Sequence, residues 1–497
     1  MSNVRSLPVI ERAASHDNRT AIIDSLGTYT YGELLASSQC VASALLHNQS
    51  DLNEARVVFM VPSGFQYVAT LWGIWQAGGI AIPLCTTHPL PEIEYVIEDT
   101  AAKIIVAHPE FDKMLRPVAN AKNAVFLSTT EAIDYQKSSL PNVDVGRRAL
   151  ILYTSGTTSK PKGVVATHEN VTAQITTLTD AWEWTENDHI LHVLPLHHTH
   201  GIINVLSCAL WSGAICEMLP KFDSEKVWER FIRADLTLFM AVPTIYVKLI
   251  STWQNASPKD QEAMSAACAK MRLMVSGSAA LPVSVFEEFK LISKHELLER
   301  YGMTEIGMAL SNPVRGERRP GFVGLPLPRV EARLVDEDGN QIDGEGKQGE
   351  IQIKGPNVFL EYWGKPEATQ EAFRDGWFCT GDIAVVESGY YCILGRASVD
   401  IIKTGGYKVS ALEIEEVLRM HDAIVECAVI GVEDAEWGER VGAAVVTNGE
   451  LSLSDLRDWA KEKLASYKLP TKLIVMSELP VNLMGKVNKA DVKRLFE

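Results

Sequence analysis

The sequence predicts an α/β protein. A large N-terminal domain of two helix-covered sheets plus a small β unit is followed by a small α+β C-terminal domain. Three observations carry that expectation. Short apolar, β-branched runs alternate with amphipathic segments through roughly the first 300 residues, as in parallel sheets covered on both faces. From about residue 322 the text changes to apolar–polar alternation broken by Asp-Gly and Gly-Glu-Gly turns, which reads as antiparallel β structure. Residues 397–497 then show a compact strand and helix pattern of their own. A chain of 497 residues also exceeds what one hydrophobic core organises, so two domains, 1–396 and 397–497, are expected.

The elements follow in order. Residues 57–85 are the most membrane-like stretch, but Pro62, Gly64, Gln66, Gln76, Gly78, Gly79 and Pro83 interrupt them, which suits a buried strand–helix–strand. "RALILY" (148–153), "HILHVLPL" (189–196), "LTLFMAV" (236–242) and "RLMVSG" (272–277) read as buried strands, and "PVSVFEEFKLIS" as an amphipathic helix. In the C-terminal domain a strand is expected at 401–404 and a helix opened by a capping box of Ser410 and Glu413. The strand "AIVECAVIGV" and a helix near 453–465 follow.

Composition excludes several functions. The chain is 46% apolar and 22% charged, which argues for a large core and against disorder. A net charge of −16 makes nucleic acid or an anionic membrane an unsuitable main partner, so an anionic ligand must meet local cations. The eight cysteines stand singly without a C-x-x-C pair, as expected of reduced thiols. The N-terminal segment has neither the apolar core of a signal peptide nor an Arg-rich transit pattern, so a cytoplasmic enzyme is expected.

One polar run invites chemistry. "TSGTTSKPKG" (154–163) follows a strand and supplies hydroxyls, bare amides, Lys160 and Lys162, all suited to polyphosphate oxygens. It lacks the Walker string, and "GVVATH" after it reads as a strand, so no helix dipole serves the loop. Taken alone, the tract fits a solvated Ser/Thr/Lys loop equally well.

Other motifs remove that ambiguity: "PLHHTHG" (195–201), "RYGMTE" (300–305), "TGD" (380–382), "GR" (395–396), "KTGGYKVSALEIE" (403–415) and "MGKVNK" (484–489). In this order the chain resembles the acyl-adenylate-forming ligases over nearly its whole length. The resemblance implies ATP, Mg²⁺ and coenzyme A. A carboxylate attacks the α-phosphorus of ATP, pyrophosphate leaves, and a thiol then displaces AMP. It also implies that the C-terminal domain is mobile between the two steps and that the enzyme is a monomer or homodimer.

By the same resemblance, Thr154, Ser155, Gly156, Thr157, Thr158 and Lys162 grip the β- and γ-phosphates. Gly277, Ser278 and Ala279 form a slot for adenine, with Tyr301, Gly302 and Met303 beside it. Asp382 and Arg396 meet the ribose, Thr304 the α-phosphate, and Glu305 the Mg²⁺. Lys486 reaches the attacking carboxylate and, with Thr304, Arg396 and the gate residue His198, completes the catalytic set. Lys403, Gly405, Gly406 and Tyr407 approach the pantetheine arm, and the hinge falls within 397–400, with Ser398 preferred. Three histidines, 197, 198 and 200, also fit a metal site, but no Cys or acidic ligand stands at matching spacing.

Arg300 is the most informative residue for the acid. A buried cation needs an anion. A second carboxylate on the substrate would supply it through a bidentate pair, and so would a salt bridge to Glu299 or Glu296. The text around it resembles the malonyl-CoA synthetase branch, which joins malonate or methylmalonate to coenzyme A. The resemblance implies that Arg300 holds the distal carboxylate, with Ser276, His198 and Met308 lining the pocket and Met303 and Ser311 shortening it. The competing readings are a ligase for a short-chain or aryl monocarboxylic acid, with Arg300 structural, and a non-catalytic nucleotide-binding relative. The latter predicts loss of Lys486, Glu305 or Asp382, and all three are present.

Overall fold

Fully buried strands of Val, Ile, Leu and Ala build the centre of the protein. In a computed structural model, residues 7–154, 161–405, 407–434, 436–481 and 487–496 are described. Among these residues the strands form four sheets.

The first sheet has seven strands. Arg148–Thr154, Ile80–Pro83, Arg56–Met60, Ile104–Ala107 and Val125–Ser128 run parallel. Lys162–Thr167 turns back antiparallel on Arg148–Thr154, so "GVVATH" is the expected strand. Glu361–Tyr362 extends this edge, a pairing the local sequence did not announce. The second sheet has nine strands, with Leu298–Met303, Leu273–Ser276, Leu238–Ala241, His189–His192, Ile215–Met218 and Thr20–Ile23 parallel at its centre. Parallel strands need helical crossovers that cover both faces, and Phe65–Gln76 and Val283–Ser293 are among them, whereas His168–Ala181 links the first sheet to the second. Their boundaries are chemically marked: Thr167 caps His168–Ala181 in a full capping box with Asn170.

The third sheet is the expected antiparallel unit, built from Glu331–Val335, Gly349–Lys354, Phe373–Arg374, Trp377–Glu387 and Tyr390–Arg396. The fourth belongs to the small C-terminal domain, in which Ile401–Thr404, Tyr407–Ser410, Ile424–Asp434, Gly438–Thr447 and Lys472–Met476 surround a core of their own. The chain thus has the expected α/β architecture of a large domain and a small one. No helix among the described residues is long and apolar enough to cross a membrane.

Three local expectations need correction. The strand expected at 189–196 stops at His192, where the His192 ring turns to the Gly201 carbonyl at 3.1 Å. The helix expected at 453–465 stops at Ala460, because the chain folds back to bury Leu464. Ser410 accepts from the Glu413 amide, but the Glu413 carboxylate pairs with Lys468 instead of closing the box.

Candidate active site

Loops that follow parallel strands gather at the strands' carboxyl ends, and open α/β sheets place their ligand crevices there. Residues 85–88 follow Ile80–Pro83, 197–200 follow His189–His192, and 277–279 follow Leu273–Ser276. Thr304 and Glu305 occupy the tight turn between Leu298–Met303 and Gly307–Ser311. Four clusters result.

The first joins Lys162, Tyr362 and Glu305. Glu305 is buried, and its carboxylate accepts from the Tyr362 hydroxyl at 2.9 Å. Lys162 Nζ lies 4.9 Å from the centre of the same Tyr362 ring. Burial raises the Glu305 pKa, while Tyr362, Arg396 and Lys162 oppose the shift. No ion pair within 4 Å neutralises this carboxylate among the described residues, and it presents hard oxygen donors. That fits Mg²⁺, which takes one or two carboxylates together with substrate phosphates.

The second cluster is Tyr301, Asp382 and Arg396. Asp382 and Arg396 are cross-strand partners, so the register sets their meeting. Arg396 Nε donates to Asp382 Oδ1 at 2.9 Å and the Tyr301 hydroxyl to Oδ2 at 2.6 Å. Both carboxylate oxygens are thus engaged, each with lone-pair capacity left for a sugar hydroxyl.

The third cluster is Arg300, Ser278 and His200. Arg300 is 3% exposed, and burial lowers its pKa. It donates to the Ser278 hydroxyl at 3.3 Å, and that hydroxyl lies 3.2 Å from His200 Nδ1. Arg300 Nε has no partner among the described residues. Gly277 leaves room for this side chain, because an added Cβ there would stand 2.4 Å from Arg300 Cζ and displace the guanidinium. The two proposed structural partners are engaged elsewhere: Glu299 accepts from the Gly321 amide at 3.1 Å, and Glu296 pairs with Lys290 at 2.8 Å. The salt-bridge reading of Arg300 is therefore overturned.

The fourth cluster is histidine-rich. The His197 and His198 rings pack with centroids 4.0 Å apart. Their loop is drawn tight at Gly201, where a Cβ would fall 2.4 Å from the Pro195 carbonyl, and Tyr67 of the first sheet's helix holds the Leu196 carbonyl. Cys85 and His88 reach the same place from the other sheet, so a cysteine does stand beside His197, which the spacing along the chain did not show.

Other expected residues distribute as follows. Ser276 is fully buried at its strand end, with a hydroxyl that has no partner among the described residues. Met308 is buried and reaches towards Gly302, whose own space is limited by the Gly307 carbonyl. Ser311 is buried, and its hydroxyl accepts from the Trp182 indole at 3.1 Å and donates to the Asn312 carbonyl at 2.8 Å. Thr154 ends its strand, Met303 and Thr304 are half-buried, and Ala279 is exposed. Lys403, Gly405 and Tyr407 lie together on a hairpin of the C-terminal domain, with Tyr407 stacked on Tyr467 at 4.2 Å and Gly405 against Trp437. Ser155, Gly156, Thr157, Thr158, Lys160, Gly406 and Lys486 lie outside the described residues. His200, read from sequence as one of three histidines suited to a metal, is the member of the Arg300 cluster that was missed. Only the folded loop shows its contact with Ser278.

Comparison with known proteins gives the class of protein that these clusters belong to, an AMP-forming acid–thiol ligase. The AMP-binding enzyme family matches residues 9–363 and the AMP-binding enzyme C-terminal domain residues 413–486, and the chain belongs to this family. It is 46% identical to the malonate–CoA ligase ACSF3, mitochondrial, of Mus musculus, over 99% of this chain and 91% of that one. It is 39% identical to the malonate–CoA ligase of Arabidopsis thaliana, over 98% and 87% of the two chains. The crystal structure of ATP-bound MatB from Rhodopseudomonas palustris superposes with a TM-score of 0.91 at 34% identity, covering 99% of both chains.

Proposed function

We propose that the protein joins malonate to coenzyme A at the expense of ATP, through a malonyl-adenylate, releasing pyrophosphate and AMP. The observation that carries the choice of acid is Arg300, a buried guanidinium that no carboxylate of the described residues meets. Leaving such a charge unpaired costs several kcal/mol, and a dicarboxylate offsets that cost while one carboxylate remains to react. The mouse and Arabidopsis relatives named for malonate support the same reading.

The reaction follows from the clusters. One malonate carboxylate pairs with Arg300, and Ser276, His198 and Met308 bound the short pocket. The other carboxylate is aimed at the α-phosphorus of ATP. Its oxygen forms the new P–O bond as the bond to the bridging oxygen of pyrophosphate breaks. Asp382 and Arg396 hold the ribose, Tyr301, Gly302, Met303, Gly277, Ser278 and Ala279 border the adenine, and Thr304 binds the α-phosphate. Lys162 and the 154–158 loop restrain the leaving phosphates. Glu305 would hold Mg²⁺, which when bound offsets phosphate charge. Lys486 is assigned the attacking carboxylate, where anion meets polyanion and fixed cations matter most. The coenzyme A thiolate then attacks the acyl carbon, guided by Lys403, Gly405, Gly406 and Tyr407, and AMP departs with its bridging oxygen. We place the domain boundary at 396/397 and the pivot in 397–400.

A panel of acids assayed for AMP release tests the reading. Malonate should exceed acetate, hexanoate and benzoate, and a monocarboxylate that outruns it would refute the assignment. Methylmalonate belongs in the panel, since one methyl alters pocket fit by only about 1–3 kcal/mol. All eight thiols are free, which fits a reducing compartment such as the cytoplasm. Fractionation of the tagged protein would decide between that and the mitochondrial location in the mouse relative's name.

A further inference from the structure

Cys85 and His88 occupy the loop between Ile80–Pro83 and Leu90–Asp99, and His197 the loop after His189–His192. The two sheets bring these loops together, so that one ligand atom of each residue lies within 4.8 Å of the others. A tetrahedral zinc ion with bonds of about 2.0–2.3 Å sets its ligands roughly 3.3–3.8 Å apart, so only a small side-chain adjustment closes the triangle. Neither Cys85 nor His88 nor His197 has a part in the reaction described above.

The surroundings suit a cation. His88 Nδ1 lies 3.2 Å from Glu92, the carboxylate support that commonly orients a ligating imidazole. The Thr87 hydroxyl lies 3.2 Å from Cys85 Sγ. His88 and His197 are half-buried, which leaves an approach from solvent. One sulfur and two imidazoles select zinc over magnesium, which prefers hard oxygen donors. This site is therefore chemically separate from Glu305.

We propose that Cys85, His88 and His197 bind one divalent cation of the zinc class, leaving the fourth position to water or an anion, and that its occupancy slows acid activation. On binding, the Cys85 thiol gives its proton to solvent and the thiolate sulfur and two imidazole nitrogens donate lone pairs. The route to the reaction is short: His197 packs on His198 at 4.0 Å between ring centroids, so a cation that fixes His197 also restrains its neighbour. The inhibitory part rests on the role proposed for His198, whereas the binding part does not.

Cobalt is the first probe. Full-length protein stripped of metal by chelation is titrated with Co²⁺ in the absence of substrates. One Co²⁺ should bind per chain and give a thiolate-to-cobalt charge-transfer band that equimolar Zn²⁺ removes. Zn²⁺ should also protect Cys85 of the wild-type protein from alkylation, read by peptide mass spectrometry, a measurement that needs no variant. Cys85→Ser should lose the band, and Glu92→Gln should weaken binding about tenfold or more. Both should keep wild-type activity in Mg²⁺ alone. Zn²⁺ should slow malonate-dependent AMP release by wild type and not by Cys85→Ser. A cobalt spectrum without the thiolate band, or equal alkylation of Cys85 with and without Zn²⁺, overturns the site. Zn²⁺ inhibition undiminished in Cys85→Ser overturns the link to acid activation.

Discussion

Arg300 and Tyr301 are adjacent on the strand Leu298–Met303, yet the regions they serve are organised in opposite ways. On the Tyr301 side every charge is answered: Asp382 takes a hydrogen bond on each oxygen, one from Tyr301 and one from Arg396. On the Arg300 side a guanidinium is buried with a serine hydroxyl and no carboxylate among the described residues. Strand geometry explains how neighbours can differ so far, since successive side chains point to opposite faces. The same rule keeps the Glu299 carboxyl from Arg300 despite their adjacency. A region already paired is positioned before its ligand arrives, whereas a region with an unanswered charge derives specificity from the ligand.

The comparison can be broken at either end. The largest effect is expected from Arg300→Ala, which leaves a bound dicarboxylate with one unpaired end. Loss of about 3 kcal/mol, roughly a hundredfold in kcat/KM for malonate, should appear mainly in KM, with the KM for ATP nearly unchanged. An equal rise in both constants would mean that the two regions are not separable.

Asp382→Asn attacks the paired side. It leaves Arg396 without its counter-charge and should cost about 2 kcal/mol, seen as a rise in the KM for ATP of over tenfold, with malonate affected less. Tyr301→Phe removes one of the two hydrogen bonds and should cost about 1 kcal/mol in the same constant, measured by the same initial-rate assay.

The smallest effect concerns Glu299. Burial raises its pKa from 4.5 to about 8, so between those values the folded protein holds a proton that the unfolded chain has released. Stability from this group is therefore present at low pH and is lost as pH rises towards 8. Glu299→Gln, which can still accept from the Gly321 amide, should raise the melting temperature at pH 8, with the difference shrinking towards pH 5. A melting shift independent of pH would show that the carboxyl ionises freely in the fold.

Much of the fold was legible. Buried parallel strands read as continuous apolar runs, and Arg148–Thr154, Leu238–Ala241 and Leu273–Ser276 lie within a residue or two of where such runs end. Helix ends were harder. Ala460 ends its helix because Leu464 must reach a core contributed by distant segments, and Glu413 abandons its capping partner for Lys468. The histidine run showed a metal-like spacing, but the cysteine and the further histidine that stand beside its His197 come from a loop of the other sheet, which no local window contains.

The sequence by itself determined the architecture, the family resemblance and the identity of the groups that chemistry would use, because periodicity and motif spacing are properties of a continuous chain. The tertiary structure alone decided which charges meet. Asp382 and Arg396 meet because sheet register sets them opposite one another and Tyr301 reaches Asp382 from another sheet, while Glu299 and Arg300 diverge because a strand turns neighbours to opposite faces. Electrostatic energy depends on distance through space and on burial, and neither is a function of separation along the chain.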